Sequence, residues 1–127
     1  MHWHAYLWTG SGEERGYEAE RRTDSPDFAG SLLPPMRTGD WLAKPRSRIA
    51  ASFTEVDQAL EWLTAQHGIH FRDDPVGLEV RLEAATQALP HGVDVQWGEW
   101  LPGGRFATVG VICCPNRHVR HPCPRQP

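Results

Sequence analysis

Two segments of alternating polarity, one at each end of the chain, constrain the fold most strongly. Residues 2–8 predict a strand whose two faces are both partly apolar, with Trp3, Ala5 and Leu7 on one face and His2, His4, Tyr6 and Trp8 on the other. Residues 93–97 and 105–113 alternate in the same way, and the glycine-containing stretch 101–104 between them predicts the turn of a hairpin. We therefore expect an antiparallel sheet in which the first strand is central.

Two helices are predicted between these strands. Ser52 and Glu55 form a capping box ahead of an apolar stripe of Val56, Leu60 and Leu63, and Gly68 ends that helix. The second helix begins at Asp74, with Pro75 at its first position, and stops at Pro90 and Gly92. Its buried stripe is Leu78, Leu82, Ala85 and Leu89. With a short extra strand at residues 40–44, this order predicts an α+β fold with both helices on one face of the sheet.

The domain organisation follows from length and local composition. A chain of 127 residues fits one domain, which we place at residues 1–113. Within it, residues 9–27 are polar and acidic with several glycines, and they predict an exposed loop. Residues 114–127 contain four prolines and several arginines, and they predict an irregular basic tail.

Composition limits the class of protein and the cellular compartment that we expect. The formal net charge of −3 predicts no general attraction to nucleic acid or to an anionic membrane, and no apolar run approaches the length of a bilayer span. The N-terminus lacks the features of a secretion signal. The three cysteines all lie between positions 113 and 123, which favours reduced thiols and a cytoplasmic protein. A single lysine against twelve arginines is typical of a GC-rich bacterial genome.

A compact cluster of cysteine and histidine near the C-terminus predicts a zinc site. Zinc is usually held by four thiolate or imidazole donors in a tetrahedron. The candidate ligands are Cys114, His118, His121 and Cys123. Their spacing matches no standard zinc finger, and Pro122 stiffens the short gap between the last two. The competing interpretation is that Cys113 ends a core strand and the tail is a disordered basic segment.

A variant of the zinc site uses the first strand. His2 and His4 share one strand face, since residues two apart point the same way. If this strand lies beside the last one, these histidines would approach Cys114 and His118, and Cys113 is a further alternate ligand. The alternative is that both imidazoles lie on an exposed polar face of the strand.

Three tryptophans and the basic tail are the candidate partner surfaces. Trp8, Trp62 and Trp100 fall outside the predicted apolar stripes, and tryptophan often anchors protein interfaces. Arg117, Arg120 and Arg125 could contact phosphates, although no aromatic residue lies among them to stack on bases.

No familiar enzyme motif is present: the chain lacks a phosphate loop, a dinucleotide fingerprint, G-x-S-x-G and H-E-x-x-H. We therefore expect a non-enzymatic binding or regulatory protein that acts through an unknown protein partner. The alternatives are a zinc-stabilised module with a tail that contacts nucleic acid, and a small enzyme that uses Cys114 or the His2/His4 pair.

Overall fold

The computed structural model describes residues 1–124, and its central feature is a four-stranded antiparallel sheet. The strands are β1 (His2–Ser11), β2 (Ala51–Phe53), β3 (Val95–Leu101) and β4 (Arg105–Cys114), in the order β2-β1-β4-β3. The N-terminal strand and the C-terminal hairpin therefore form the sheet as predicted, with β1 and β4 at its centre. In residues 1–124 no helix combines the length and the apolar character that crossing a bilayer requires.

Two helices cover one face of the sheet. They are α2 (Val56–His70) and α3 (Leu78–Ala88), while a single short turn, α1 (Gly12–Arg15), follows β1. Their buried side chains meet the odd-numbered residues of β1 and β4 in one apolar core, which confirms the α+β fold. The members of this first core include Trp3, Ala5, Ala59, Leu63, Phe71, Ala85, Leu89, Trp97, Val109, Val111 and Cys113.

The opposite face of the sheet is also buried, under irregular chain rather than helices. The even-numbered side chains of β1 and β4 pack with Leu33, Trp41 and Leu42 from the long connection between β1 and β2, residues 12–50, which we call the covering connection. Tyr6 is fully buried there, and its ring stacks on Trp41 with ring centroids 4.9 Å apart. Both faces of β1 are thus buried, and the covering connection completes a second core.

Buried cations hold this covering connection in place. Lys44 is 2% exposed, and its Nζ donates to the carbonyl oxygens of Phe28 and Ser31 at 2.7 and 2.9 Å. Arg21 donates to the carbonyl oxygens of Pro34 and Arg15 at 2.7 and 2.8 Å. Because these carbonyls would otherwise lack partners away from water, the two cations stabilise an irregular backbone. Burial lowers the pKa of Lys44 to about 8.

Several predicted boundaries are wrong. Residues 40–44 form no strand, since a 3-10 helix spans Thr38–Ala43 and places Trp41 in the second core. The extra strand is β2 instead, so Ser52 pairs with β1 and the capping box of α2 is formed by Glu55 and Gln58. Gly68 does not end α2, which continues to His70.

The acidic segment 9–27 is more ordered than predicted. Residues 9–11 belong to β1, α1 and a 3-10 helix at Glu18–Arg21 follow, and Arg21 is buried at 9% exposure. Residues 12–27 are thus the ordered first part of the covering connection, although most of their acidic side chains remain exposed.

Asp74 does not begin α3 but organises the junction between the two helices. Its side chain is fully buried and accepts hydrogen bonds from Arg81 at 2.6 and 3.1 Å, while its Oδ2 lies 3.1 Å from Nε2 of His67. It also accepts from the backbone N–H groups of Val76 and Gly77. The Arg81 guanidinium beside Asp74 holds the pKa of that carboxyl well below its usual range.

We expect Asp74→Asn to lower the free energy of unfolding by about 3–5 kcal/mol, because it leaves the partly buried Arg81 without its closest anion. The measurement is urea unfolding followed by circular dichroism. The matched control is Asp73→Asn, which makes the same change at the exposed neighbouring residue. The folded-state pKa of Asp74 is depressed, so its contribution is present above about pH 4 and is lost as the pH falls further. A difference between wild type and Asp74→Asn that did not shrink below that pH would contradict this assignment.

Candidate metal centre

The register between β1 and β4 brings His2, His4 and Cys114 to one place on the sheet. His2 lies opposite Cys114 and His4 opposite Ile112. Side chains alternate along a strand and cross-strand partners share a face, so all three side chains lie on the face that carries the second core. Cys113, one position earlier, points to the other face and is buried in the first core.

The tail supplies a fourth donor to this group. Sγ of Cys123 lies 3.3 Å from Nε2 of His2 and 3.4 Å from Nε2 of His4. One donor atom from each of His2, His4, Cys114 and Cys123 can be chosen so that all four lie within 4.8 Å of one another. We refer to these four residues as the His/Cys cluster.

The dimensions of the His/Cys cluster suit a tetrahedral metal ion. Zinc–sulfur bonds of about 2.3 Å and zinc–nitrogen bonds of about 2.0–2.1 Å place the donors of a tetrahedron about 3.3–3.8 Å apart. The two nitrogen–sulfur distances to Cys123 fall within that range, and the remaining separations exceed it by about 1 Å at most. The separations of the four donors are therefore compatible with one tetrahedral ion.

Ser52 orients one of the imidazoles. It is the cross-strand partner of His4, and its Oγ lies 2.7 Å from Nδ1 of His4. A hydrogen bond at Nδ1 directs Nε2 toward Cys123, which is the arrangement that metal-ligating histidines use. His4 is 1% exposed, so the interpretation of His2 and His4 as two surface imidazoles is wrong for His4.

Burial controls the state of the thiols. Cys114 is 3% exposed, and burial, together with the adjacent Cys123, raises the pKa of its thiol to about 12. A thiol in this state is protonated at neutral pH and is a poor nucleophile. A divalent cation would reverse this preference, because coordination deprotonates a thiol outright.

The first half of the tail is anchored by Asn116. Its Nδ2 donates to both carboxylate oxygens of Asp94 at 2.9 and 3.0 Å, and its Oδ1 accepts from the backbone N–H groups of His118 and Val119. Asp94 also accepts from the N–H of Cys113 at 2.8 Å. These bonds turn the chain back over the end of the sheet immediately after β4.

The second half of the tail is anchored by His121. Its Nε2 lies 2.9 Å from Oδ1 of Asp40, a buried carboxylate in the covering connection. Nearby, Val119 packs so closely on Gly39 that a Cβ at that glycine would lie 2.9 Å from the valine side chain. The tail therefore packs on the covering connection, and this contact places Cys123 beside His2 and His4.

The structure separates the zinc ligands predicted from the sequence into two groups. Cys114 and Cys123 join the cluster, as do the alternates His2 and His4. His121 bonds Asp40, His118 is exposed and Cys113 faces the opposite core, so none of these three reaches it. The strand alternation that separates Cys113 from Cys114 was readable in the sequence, but the return path of the tail was not.

The proposed partner residues also fall into distinct environments. Trp8 is 6% exposed because the covering connection lies over it, so it offers no contact surface. Trp62 is partly buried against the first core, and Trp100 is 63% exposed. In the tail, Arg117 donates to the carbonyl of His91 and Arg120 is exposed, while Arg125 lies outside the described residues. Contact between this tail and nucleic acid stays a prediction.

A cavity of about 410 Å³ borders the cluster. Its walls include His2, His4 and Cys123, together with Ser52, Phe53, Thr54 and Gln58. Within the cluster, His4 and Cys114 are thus buried, whereas His2 and Cys123 are part-exposed beside the cavity.

Comparison of the chain with protein-family models, with curated proteins and with solved structures finds no match.

We expect Asn116→Ala to loosen the tail and expose Cys123, because it removes the bonds to Asp94 and the turn that follows. The measurement is the alkylation rate of Cys123 by iodoacetamide in metal-free protein, resolved by peptide mass spectrometry. The control is Arg120→Ala, an exposed residue of the same tail. Equal alkylation rates in wild type and Asn116→Ala would show that Asn116 does not seat the tail.

Proposed function

We propose that the chain is a zinc-binding module in which the His/Cys cluster holds one ion and fastens the tail across the end of the sheet. The observation that carries the proposal is the convergence of four donor side chains from three separate parts of the chain. Two of them come from β1, one from the end of β4 and one from the tail. Such convergence of cysteine and histidine is typical of a metal centre rather than of a solvated surface.

The donor set favours zinc among the common metals. Two thiolates and two imidazoles in a tetrahedron form one of the usual zinc coordination sets, whereas calcium and magnesium prefer oxygen. Charge supports the same choice, since two thiolates would neutralise a divalent ion and leave no net charge in a partly buried site. A catalytic thiol is less well supported, because Cys114 is buried and its pKa is raised.

The metal would contribute to the order of the tail. Residues 115–124 contain three prolines and form no helix or strand, so little backbone hydrogen bonding stabilises them. Metal binding free energy can act as folding free energy for such a segment. The proposal includes a cytoplasmic location, because a reducing compartment keeps Cys114 and Cys123 available as ligands.

We expect freshly purified protein to contain about one zinc per chain. Cys114→Ser and His4→Ala should lose it, since each removes a donor that the paired strands β1 and β4 hold in place. The measurement is elemental analysis together with competition against a zinc chelator. Ser52→Ala should retain zinc with about 10–100-fold weaker affinity, because it removes only the partner that orients His4.

Two matched controls separate this cluster from the ligand set predicted from the sequence. Cys113→Ala changes the neighbouring cysteine on the opposite face of the sheet, and His118→Ala changes an exposed histidine of the tail. Both should retain wild-type zinc content. Loss of zinc in His118→Ala, or its retention in His4→Ala, would contradict the cluster assigned here.

A second candidate function is protein–protein interaction at the edge strand β3, with a second copy of the chain as the partner. Trp100 is 63% exposed on this strand. A strand at a sheet edge presents unpaired backbone groups, which can join another strand. Antiparallel self-pairing centred on Gly98 would place Val95 opposite Leu101 and Gln96 opposite Trp100 of the second copy, so the contact is self-complementary.

We expect wild-type protein to dimerise as its concentration rises, and Trp100→Ala to weaken the dimer at least about tenfold, since truncating an interfacial tryptophan costs about 2 kcal/mol or more. The measurement is sedimentation equilibrium. Leu32→Ala is the control, because Leu32 is exposed to the same 63% in the covering connection. A wild type that stays monomeric at about millimolar concentration would contradict this second function.

A further inference from the structure

The cavity of about 410 Å³ borders part of the His/Cys cluster. Among the described residues, three cluster members line it, namely His2, His4 and Cys123, while Cys114 does not. Cys114 is instead 3% exposed at the end of β4. A molecule in this cavity would therefore meet the cluster at the part-exposed His2 and Cys123, with the buried His4 behind them.

The four donors differ in how firmly the fold holds them. His2, His4 and Cys114 lie on β1 and β4, which pair over ten residues. Cys123 lies nine positions beyond the end of β4, in a tail held by side-chain contacts such as those of Asn116 and His121. Metal centres that accept outside ligands have three protein donors and an exchangeable fourth position, and the strand residues supply such a trio.

We propose that Cys123 closes an exchangeable coordination position and that a small thiol from the cavity can replace it. This inference rests on the zinc site proposed above. In the exchange, a bond forms between the metal and the sulfur of the incoming thiol, and the bond to Cys123 breaks. The proton of the incoming thiol passes to the Cys123 sulfur, so no oxidant or reductant is needed.

The site itself favours a thiol. The position beside the two imidazoles is already shaped for sulfur, with Sγ of Cys123 at 3.3 and 3.4 Å from their Nε2 atoms. Ser52, Phe53, Thr54 and Gln58 complete the lining of the cavity. A cavity of this volume accommodates a small molecule.

The test replaces zinc by cobalt, whose absorption reports sulfur ligands, and uses 2-mercaptoethanol as the probe. Cys123→Ala should bind one cobalt per chain through the remaining trio, with weaker sulfur-to-cobalt charge-transfer absorbance than wild type. Adding the thiol should restore this absorbance in a saturable manner. Wild type should need about tenfold more thiol or above, because the tethered Cys123 competes at about millimolar effective concentration.

Two further variants sharpen the experiment. Cys113→Ala should keep the wild-type spectrum and the wild-type resistance to thiol, since its sulfur faces the other core. Asn116→Ala should respond at lower thiol concentration than wild type, because its tail is loosened while Cys123 is intact.

Three outcomes would overturn the proposal. Cys123→Ala could bind no cobalt, which would make Cys123 an indispensable ligand. Added thiol could strip cobalt from Cys123→Ala without restoring absorbance, or wild type could titrate like the variant, and either result would exclude an exchangeable position closed by Cys123. A wild type that binds neither zinc nor cobalt would overturn the zinc site itself, and that failure is distinguishable because it precedes any addition of thiol.

Discussion

The antiparallel pairing of β1 with β4 is the constraint on which the rest of the structure depends. It places the two ends of the chain side by side over ten residues, from His2 opposite Cys114 to Ser11 opposite Arg105. Both strands are central, so both of their faces must be covered. The helices cover one face and the connection between β1 and β2 covers the other, which leaves the end of the sheet, where His2 and Cys114 meet, for the tail.

The tail reaches the cluster through polar anchors rather than through an apolar core. Asp94 and Asp40 lie in different parts of the fold, and each receives one tail residue, Asn116 or His121. This arrangement orders a proline-rich segment that has little regular structure of its own. Cys123 therefore reaches the other donors only when the tail is anchored, whereas the positions of the other three donors depend only on the sheet. Zinc binding and tail order would therefore stabilise each other.

Much of the architecture was predictable because local patterns report it. The period of two in residues 2–8 and 105–113 predicted the strands β1 and β4, the helical stripes predicted α2 and α3, and the order of the elements predicted both helices on one face of the sheet. The failures lie where a short element is chosen by its packing. Ser52 resembled a helix cap but pairs with His4 in β2, and residues 40–44 resembled a strand but turn as a 3-10 helix that buries Trp41.

For the candidate site, the sequence by itself determined the donor chemistry and the faces of the strands. Because successive side chains of a strand point to opposite faces, Cys113 and Cys114 lie on opposite faces of the sheet and His2 and His4 lie on the same face. This holds for any arrangement of the rest of the fold. Only the tertiary structure decided which donors meet, because that depends on the register of β1 against β4 and on the return of the tail from Asn116 to Cys123. His118 and His121 are close to Cys123 in sequence, yet the tail conformation turns them elsewhere. In an irregular segment, closeness in sequence does not determine which way a side chain points. In a sheet, cross-strand pairing does determine it.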